Sequence, residues 1–341
     1  MSVPSSFSTV PIIDISVLRT ADQHRRRAAV DQLADAASDV GFMYVTGTGI
    51  PDESFDRMLA VTRTFFALPL AEKMAVCIAR STNHRGYVPE GEEVFAGGTA
   101  DKKEAFDLAF DLPADDPDYR AGNPLLGPNQ WPSVAGFREA VNEYYAAVFD
   151  VGTLLMRGFA CAIGEDEHYF DPMLVKPPSQ LRLIHYPVDE SARPGIGAHT
   201  DYECLTLLKC TSPGLEVLNG AGEWIDVPPV PGAHVVNIGD MLELLTNGHF
   251  VATNHRVRKV TEERYAFPLF FNLDYDTVVT PLPRFVSQDR PARPSLRAGE
   301  HLFAQTAQSF SYLQERLKRG SITLPEGSVP LASFGQPVAH Q

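Results

Sequence analysis

The spacing of hydrophobic residues predicts helices in the first half of the chain. Apolar positions recur at helical spacing over residues 21–40 and 51–68, and the run GFMYVTG between them is typical of a strand. Residues 133–163 predict one long, largely buried helix, although Gly152 and Gly158 lower its intrinsic helix propensity. A helical layer therefore precedes the rest of the fold.

From about residue 181 the pattern changes to short β-rich runs with turn signals between them. These are LRLIHYP, HTDYECLTLLKC, LEVLNGAGEWIDV, HVVNIGDML, NHRVRKV and YAFPLFFNLD. Such a succession is typical of a β-sandwich or barrel. The NGAGEW segment predicts a hairpin and Gly239-Asp240 a further turn, and helix returns only over residues 298–319.

Residues 81–132 are rich in Gly, Pro and Asp. A stretch of this length is too long for an ordinary connection, so it is expected to form a lid or a set of substrate loops. We find no internal repeat and no low-complexity linker in the chain. One composite domain, in which the helical N-terminal part buttresses the β-rich part, is therefore expected.

The composition disfavours two classes of partner. The chain has 29 Lys and Arg against 43 Asp and Glu, a net charge of −14, which disfavours nucleic acid and anionic membranes. Its four cysteines are scattered without a CxxC pair, as in a reduced cytoplasmic protein. Neither a signal peptide nor an apolar run of about 18 residues is evident. We expect a cytoplasmic protein that acts on a small molecule, with no obligate protein partner.

Three residues form a candidate iron site. His199 and Asp201 are separated by one residue in GIGAHTDY, and His255 follows in TNHRVRKV. Side chains two apart in a strand point the same way, so the first two can chelate together. Two imidazoles and one carboxylate are the ligands of mononuclear non-haem Fe(II) sites, which keep adjacent positions open for a co-substrate and dioxygen. These three residues are thus predicted to be the metal ligands and the catalytic centre.

The order of motifs around these ligands resembles a known family. HTD, NIGDMLELLTNG, TNHRV and RYAFPLFF occur in the order seen in iron(II)- and 2-oxoglutarate-dependent dioxygenases of the isopenicillin N synthase-like group. PIIDIS and VGFMYVTGTGI look like that group's N-terminal segment. The motifs GYV, GEEV, RGY and HTDY are similar to those of its ethylene-forming and thymine-hydroxylating branches.

The resemblance implies a mainly β fold with flanking helices and a double-stranded β-helix core, also called a jelly roll or cupin-like fold. Residues 1–175 would form the N-terminal buttress and lid loops, 176–285 the catalytic jelly roll, and 286–341 a C-terminal helix and tail. It further implies cofactors Fe(II), 2-oxoglutarate and O2, and oxidation of a C–H bond, with hydroxylation expected and with release of succinate and CO2.

The resemblance also implies a co-substrate site. Arg264, nine positions after the last ligand, matches the arginine that grips the distal carboxylate of 2-oxoglutarate, and Tyr186 matches a tyrosine that reaches the same group. Ala266 stands where the family usually has the serine of its RxS motif, so one hydrogen bond to the co-substrate is missing.

Four residues are candidates for contacting the primary substrate. Arg85 and Glu92 belong to the loop NHRGYVPEGEEVFAGG, which is expected to close over the substrate. Arg182 shares strand parity with Tyr186 and is expected to face the cavity, and Phe271 is expected to form part of its wall.

Two other functions fit the sequence. An iron-dependent oxidase of the isopenicillin N synthase type would dispense with 2-oxoglutarate, and Ala266 is compatible with that chemistry. A non-catalytic jelly roll that binds a small ligand is a second alternative. The intact ligand set disfavours it, because a buried carboxylate and two histidines would then carry a desolvation cost without gain.

Overall fold

A computed structural model describes residues 5–93, 102–188 and 195–330 of the chain. The three helical segments predicted in the first half are all present. The first begins where Asp22 accepts the backbone N–H groups of His24 and Arg25, an ordinary N-cap. In chain order the helices are α1 (Gln23–Asp39), α2 (Asp52–Phe66), α3 (Leu70–Ala75), α4 (Pro117–Arg120), α5 (Phe137–Ala162), α6 (Asp240–Leu245), α7 (Ala298–Ser309) and α8 (Ser311–Lys318).

The strands form two main sheets. The larger has the order β1-β2-β10-β7-β12-β5-β4-β3, the smaller has the order β6-β11-β8-β9, and β13 and β14 form a separate two-stranded sheet. The strands are β1 (Ile12–Asp14), β2 (Phe42–Thr46), β3 (Gly86–Val88), β4 (Glu104–Ala109), β5 (Gln180–Tyr186), β6 (Ile196–His199), β7 (Leu205–Cys210), β8 (Leu215–Leu218), β9 (Trp224–Asp226), β10 (His234–Ile238), β11 (His255–Val257), β12 (Arg264–Phe271), β13 (Val278–Val279) and β14 (Leu296–Arg297). The expected β-rich fold with flanking helices is confirmed, and β8 and β9 form the hairpin predicted from NGAGEW.

Strand alternation gives the large sheet two different faces. Along β12 the odd-numbered residues Tyr265, Phe267, Leu269 and Phe271 belong to the main hydrophobic core, which also contains the buried face of α5. The even-numbered residues of the same strand face a cavity. The core thus holds the sheet from the helical side and leaves its other face for the site.

Helix α5 is the central helix of this core. Its 26 residues are long and apolar enough to cross a membrane by length and composition. Its apolar residues pack inside the protein instead, among them Phe137, Tyr144, Leu155 and Phe159, all of which are fully buried. Burial of this kind is the usual reason for a helix that is apolar around most of its circumference.

The N-terminal part contributes strands to the large sheet as well as helices. Strand β2 pairs with β10, and β4 pairs with β5, so both are hydrogen-bonded to strands from the second half. Residues 81–132, which were expected to form a lid or a set of substrate loops, also contain β3, β4 and α4. The division of the chain at residues 175 and 285 stays a prediction.

Two details of the C-terminal half also differ from the prediction. Gly239 and Asp240 do not form a simple turn: Gly239 is the N-cap of α6, which starts at Asp240. The helix expected over residues 298–319 is two helices, separated at Phe310, where the backbone is extended with φ −94° and ψ 127°. This break lets the Phe310 side chain reach the cavity.

Candidate metal centre and its cavity

The two predicted histidine ligands lie directly opposite each other. Strands β6 and β11 are antiparallel neighbours in the small sheet, and their register pairs His199 with His255. The ring centroids are 4.4 Å apart. Asp201 follows β6 by two residues, and its Oδ1 lies 3.7 Å from Nε2 of His199 and 3.5 Å from Nε2 of His255. One potential ligand atom from each residue lies within 4.8 Å of the others, close enough to share one metal ion.

Backbone carbonyls orient both imidazoles. Nδ1 of His199 lies 2.8 Å from the carbonyl oxygen of Gly197, and Nδ1 of His255 lies 3.2 Å from that of Thr253. A proton on each Nδ1 satisfies these contacts and leaves the Nε2 lone pair for the metal. The orienting partners are backbone atoms, so they depend on the strand geometry and not on further side chains.

Burial and mutual contact shift the pKa values of all three residues of this cluster. Burial, reinforced by the neighbouring His255, lowers the pKa of His199 to about 4, so its imidazole is neutral at physiological pH. Burial opposes ionisation of Asp201, but His255 and His199 hold its pKa below the ordinary range. Burial opposes protonation of His255, but the Asp201 carboxylate raises the pKa of its imidazole above the ordinary value. Because neutral imidazoles and an ionised carboxylate bind a metal, metal binding would displace any proton shared between Asp201 and His255.

The three ligands line a cavity between the two sheets. Its floor is built from the even-numbered residues of two neighbouring strands, with Arg264 opposite Tyr186 and Ala266 opposite Ile184. Because these strands alternate in and out, one face presents a double row of side chains. The row comprises Gln180, Arg182, Ile184 and Tyr186 from β5 and Arg264, Ala266, Pro268 and Phe270 from β12.

Arg264 is a buried cation with unused hydrogen-bonding capacity. Only 1% of the residue is exposed, and its Nε donates to the carbonyl of Ser212 at 3.1 Å. Its guanidinium carbon lies 4.8 Å from the centre of the Tyr186 ring. Nη1 is buried without a hydrogen-bond partner among the described residues. A buried guanidinium N–H without an acceptor is costly, so this end of the cavity suits an anionic ligand such as a carboxylate.

Arg182 lies at the other end of the floor, and its charge is already compensated. Its Nε and Nη2 form a two-pronged contact with the carboxylate of Asp107, at 2.8 and 2.9 Å. Nη1 donates to Glu93 at 2.9 Å, and Glu93 also pairs with Lys103 at 2.9 Å. The prediction that Arg182 faces the cavity agrees with the structure.

Two loop residues expected at the substrate do not line the cavity. The Arg85 guanidinium is fully buried and donates to the backbone carbonyls of Asn83, His84 and Leu125, so it supports the loop from inside. Glu92 accepts the backbone N–H of Tyr312. Their neighbours His84 and Glu93 face the cavity instead. The part of this loop at residues 94–101 lies outside the described residues.

Phe271 is also not a wall of the cavity. It is fully buried on the helical side of the large sheet, where its ring lies 4.9 Å from that of Phe149. Phe270 takes the place expected for it. The signal was available in the sequence, since Phe271 has the opposite strand parity to Arg264 and Ala266, whereas Phe270 shares theirs.

Three further residues contact the ligands, and the sequence motifs gave them no role, although Asn237 is the first residue of NIGDMLELLTNG. Phe42 comes from β2 and lies 5.3 Å, edge to face, from the His255 ring. Thr206 and Asn237 both donate hydrogen bonds to the Asp201 carboxylate. These contacts depend on how distant strands pair, which periodicity does not reveal.

Comparison with known families covers both halves of the chain. Residues 177–273 match the family model of the 2OG-Fe(II) oxygenase superfamily. Residues 10–134 match the model described as the N-terminal region of non-haem dioxygenase in morphine synthesis.

Characterised relatives extend over nearly the whole length. The 2-oxoglutarate-Fe(II) type oxidoreductase hxnY of Emericella nidulans is 35% identical over 314 residues, which cover 88% of this chain and 90% of the relative. A homoarginine-6-hydroxylase of Glycine max is 35% identical over 328 residues, with 90% and 98% covered.

Solved structures have the same architecture. A Neurospora crassa protein in complex with alpha-KG and thymine superposes with a TM-score of 0.75 at 25% identity, covering 91% of this chain and 97% of that one. A 2OG-Fe(II) oxygenase family protein from Caulobacter crescentus gives a TM-score of 0.74 at 28% identity, covering 92% and 99%. The jelly-roll expectation is therefore confirmed.

These findings decide between the alternatives that the sequence left open. The relatives are named for 2-oxoglutarate and iron, which supports neither an oxidase that dispenses with 2-oxoglutarate nor a non-catalytic ligand-binding fold. The metal centre and the buried Arg264 fit both cofactors. The chain belongs to the 2OG-Fe(II) oxygenase superfamily and is an oxidoreductase that uses Fe(II), 2-oxoglutarate and O2.

Proposed function

We propose that this dioxygenase hydroxylates a C–H bond of a small polar molecule, with 2-oxoglutarate held at the Arg264 end of the cavity and the substrate at the Arg182 end. Bound iron and 2-oxoglutarate supply the oxidising chemistry, with succinate and CO2 as the co-products. The protein's own residues fix where the two organic molecules lie relative to the metal.

The observation that carries the co-substrate assignment is the unpartnered, buried Nη1 of Arg264. A carboxylate can accept two parallel hydrogen bonds from a guanidinium, and a buried pair of this kind is stronger than neutral hydrogen bonds. Tyr186 packs against the same guanidinium and holds its plane in position. Apolar side chains surround this end and exclude water from the pair, among them Ile184, Ile196, Leu215 and Val257.

The substrate end differs in chemistry. Arg182 is neutralised by Asp107 and Glu93, so we expect it to recognise a substrate through hydrogen bonds and not through net charge. Phe270 and Phe310 provide aromatic walls. The relatives that support a small-molecule substrate are the homoarginine-6-hydroxylase and the Neurospora protein with bound thymine.

A two-step experiment tests this function. The purified protein is mixed with Fe(II) and 2-oxoglutarate without oxygen, and the weak visible charge-transfer band of the chelate is measured. Air is then admitted with a panel of small amides, amino acids and nitrogen heterocycles, and succinate and hydroxylated products are quantified. We expect the band, and succinate formation that rises with a substrate. Absence of both would refute the proposal.

For the setting of the enzyme, we propose the cytoplasm, without a nucleic-acid, membrane or obligate protein partner. The four cysteines are unpaired, which suits a reducing compartment. The net charge of −14 opposes binding to polyanions. Fractionation of the source cells with an antibody to this chain tests the location, and recovery with the membrane pellet would contradict it.

A further inference from the structure

The geometry points to a positioning role for Thr206 and Asn237: together they hold one oxygen of Asp201 away from the metal, so that the carboxylate binds through its other oxygen alone. This inference rests on the iron centre and on no particular substrate. It concerns two residues that never contact the metal themselves.

The two residues form one unit of the large sheet. Thr206 on β7 and Asn237 on β10 are direct cross-strand partners. Both are buried, with 3% and 4% of each residue exposed, and both side chains face the cavity. A directly opposed pair on one face of a sheet holds its side chains close together, so the two can act on one group.

Both side chains donate to the same carboxylate oxygen. The Thr206 hydroxyl lies 2.5 Å and the Asn237 amide nitrogen 2.7 Å from Oδ2 of Asp201. Hydrogen bonds to an ionised carboxylate are short and about twice as strong as neutral ones. Oδ1 is the oxygen that lies near both histidine Nε2 atoms. Oδ1 is therefore placed to bind the metal, whereas Oδ2 is held by hydrogen bonds from the large sheet.

This separation matters because the open positions of the metal are limited. Two imidazoles and a monodentate carboxylate leave three adjacent positions. Bound 2-oxoglutarate and O2 would both need these positions. If Oδ2 turned towards the metal, the carboxylate would become bidentate and would take a position that these reactants require.

The pair also connects the two sheets across the cavity. The histidines belong to the small sheet, whereas Thr206 and Asn237 belong to the large one. Asp201 lies in the segment that follows β6, and its backbone carbonyl accepts the N–H of Asp240 at 2.9 Å. The side-chain hydrogen bonds thus fix the carboxylate relative to the large sheet, whereas the two histidines are fixed by the small sheet.

The test uses isosteric and conservative variants. Thr206→Val removes the hydroxyl at nearly constant volume, Thr206→Ser keeps it, and Asn237→Leu removes the amide. Thr62→Val is the matched control, because Thr62 is also fully buried but bonds to the carbonyl of Met58 in α2, away from the site. Thermal midpoints and circular dichroism show whether each variant is folded.

Two readouts are independent of turnover. Affinity for Mn(II) alone, measured by electron paramagnetic resonance, is expected to fall about 10–100-fold in Thr206→Val and Asn237→Leu, because the released carboxylate is no longer oriented towards the two histidines. We expect it to be within about threefold of wild type in Thr206→Ser and Thr62→Val. At saturating Fe(II), we expect the charge-transfer band with 2-oxoglutarate to be weakened or shifted in the first two variants only.

Folded Thr206→Val and Asn237→Leu proteins with wild-type Mn(II) affinity and an unchanged band would overturn the inference. If one of these variants does not fold, the other decides by the same measurements. If both fail to fold, Asn237→Asp decides, because it retains the shape but sets a second carboxylate against Oδ2, and wild-type affinity there would again refute the role. Mn(II) binding needs no co-substrate, so these results stay separate from success or failure of the proposed function.

Discussion

Arg264 and Tyr186 are direct cross-strand partners in the cavity floor, and the guanidinium carbon lies 4.8 Å from the centre of the tyrosine ring. The aromatic face stabilises the buried cation without using its N–H groups. The guanidinium therefore keeps a donor for a ligand, while its position is fixed by the ring on one side and by the carbonyl of Ser212 on the other.

We predict that Arg264→Leu weakens 2-oxoglutarate binding strongly and leaves metal binding nearly unchanged. Loss of one partner of a buried, hydrogen-bonded charge pair costs about 2–5 kcal/mol, or roughly 30-fold to several thousand-fold in affinity. Titration of the visible band with 2-oxoglutarate without oxygen measures the loss. Arg258→Leu is the control, because Arg258 is a partly exposed residue that pairs with Asp226. Equal losses of metal and co-substrate binding in Arg264→Leu would contradict the assigned role.

Ala266→Ser is predicted to strengthen 2-oxoglutarate binding. Ala266 is buried in the cavity floor between Arg264 and Pro268, at the position of the serine in the family's RxS motif. A hydroxyl there can donate to the same carboxylate, and a hydrogen bond of this kind contributes about 0.5–1.5 kcal/mol, or roughly 2- to 12-fold in affinity. The same titration checks it. Weaker binding would mean that the carboxylate does not reach residue 266.

The sequence was sufficient to predict the metal ligands. His199 and Asp201 are only two residues apart, and His255 lies in the family-like motif TNHRV. Strand parity also predicts correctly that Arg182 faces the cavity, and on β12 the same parity indicates Phe270 and not Phe271. Strand parity cannot predict the contacts of Glu93. They depend on an isolated bridge to Phe310, more than two hundred positions away. The Thr206 and Asn237 pair likewise depends on the register of two strands separated by a hairpin.

Removal of the metal is predicted to abolish activity reversibly. Treatment with a chelator should eliminate succinate formation, and Fe(II) with a reductant should restore it. Zn(II) binds similar nitrogen and oxygen ligands but has no redox chemistry, so it is expected to occupy His199, Asp201 and His255 and to inhibit. Succinate assays with each metal check this. Full activity with Zn(II) would show that the centre does not act through iron.

Phe270→Ala and Phe271→Ala are predicted to have opposite consequences. Phe271 is fully buried against α5, so its truncation should lower the free energy of unfolding by about 3–5 kcal/mol. Phe270 is only partly buried and faces the cavity, so its truncation should cost less stability and should instead change substrate-dependent succinate formation. Urea denaturation and succinate assays on both variants separate the two effects. A larger loss of stability in Phe270→Ala would reverse the assignment of the two faces.

Gly152→Ala is predicted to destabilise the protein although alanine favours a helix. In an exposed helix the change would gain roughly 1 kcal/mol. At this position, however, an added Cβ would lie 2.3 Å from the ring of Phe271, which the Phe149 ring also contacts. Overpacking of a filled core costs about 1–3 kcal/mol, so the clash is expected to exceed the gain.

Gly158→Ala is the control within the same helix. Its added Cβ would lie 2.9 Å from the terminal methyl group of Leu33, a flexible side chain that can move away at little cost. We therefore expect Gly158→Ala to be nearly neutral and Gly152→Ala to lower the unfolding midpoint in urea. Because Phe271 and the cavity residue Phe270 are consecutive in β12, displacement of the first ring should also shift the cavity floor. A Gly152→Ala protein as stable as wild type would show that helix α5 and the sheet are not packed as closely as this contact requires.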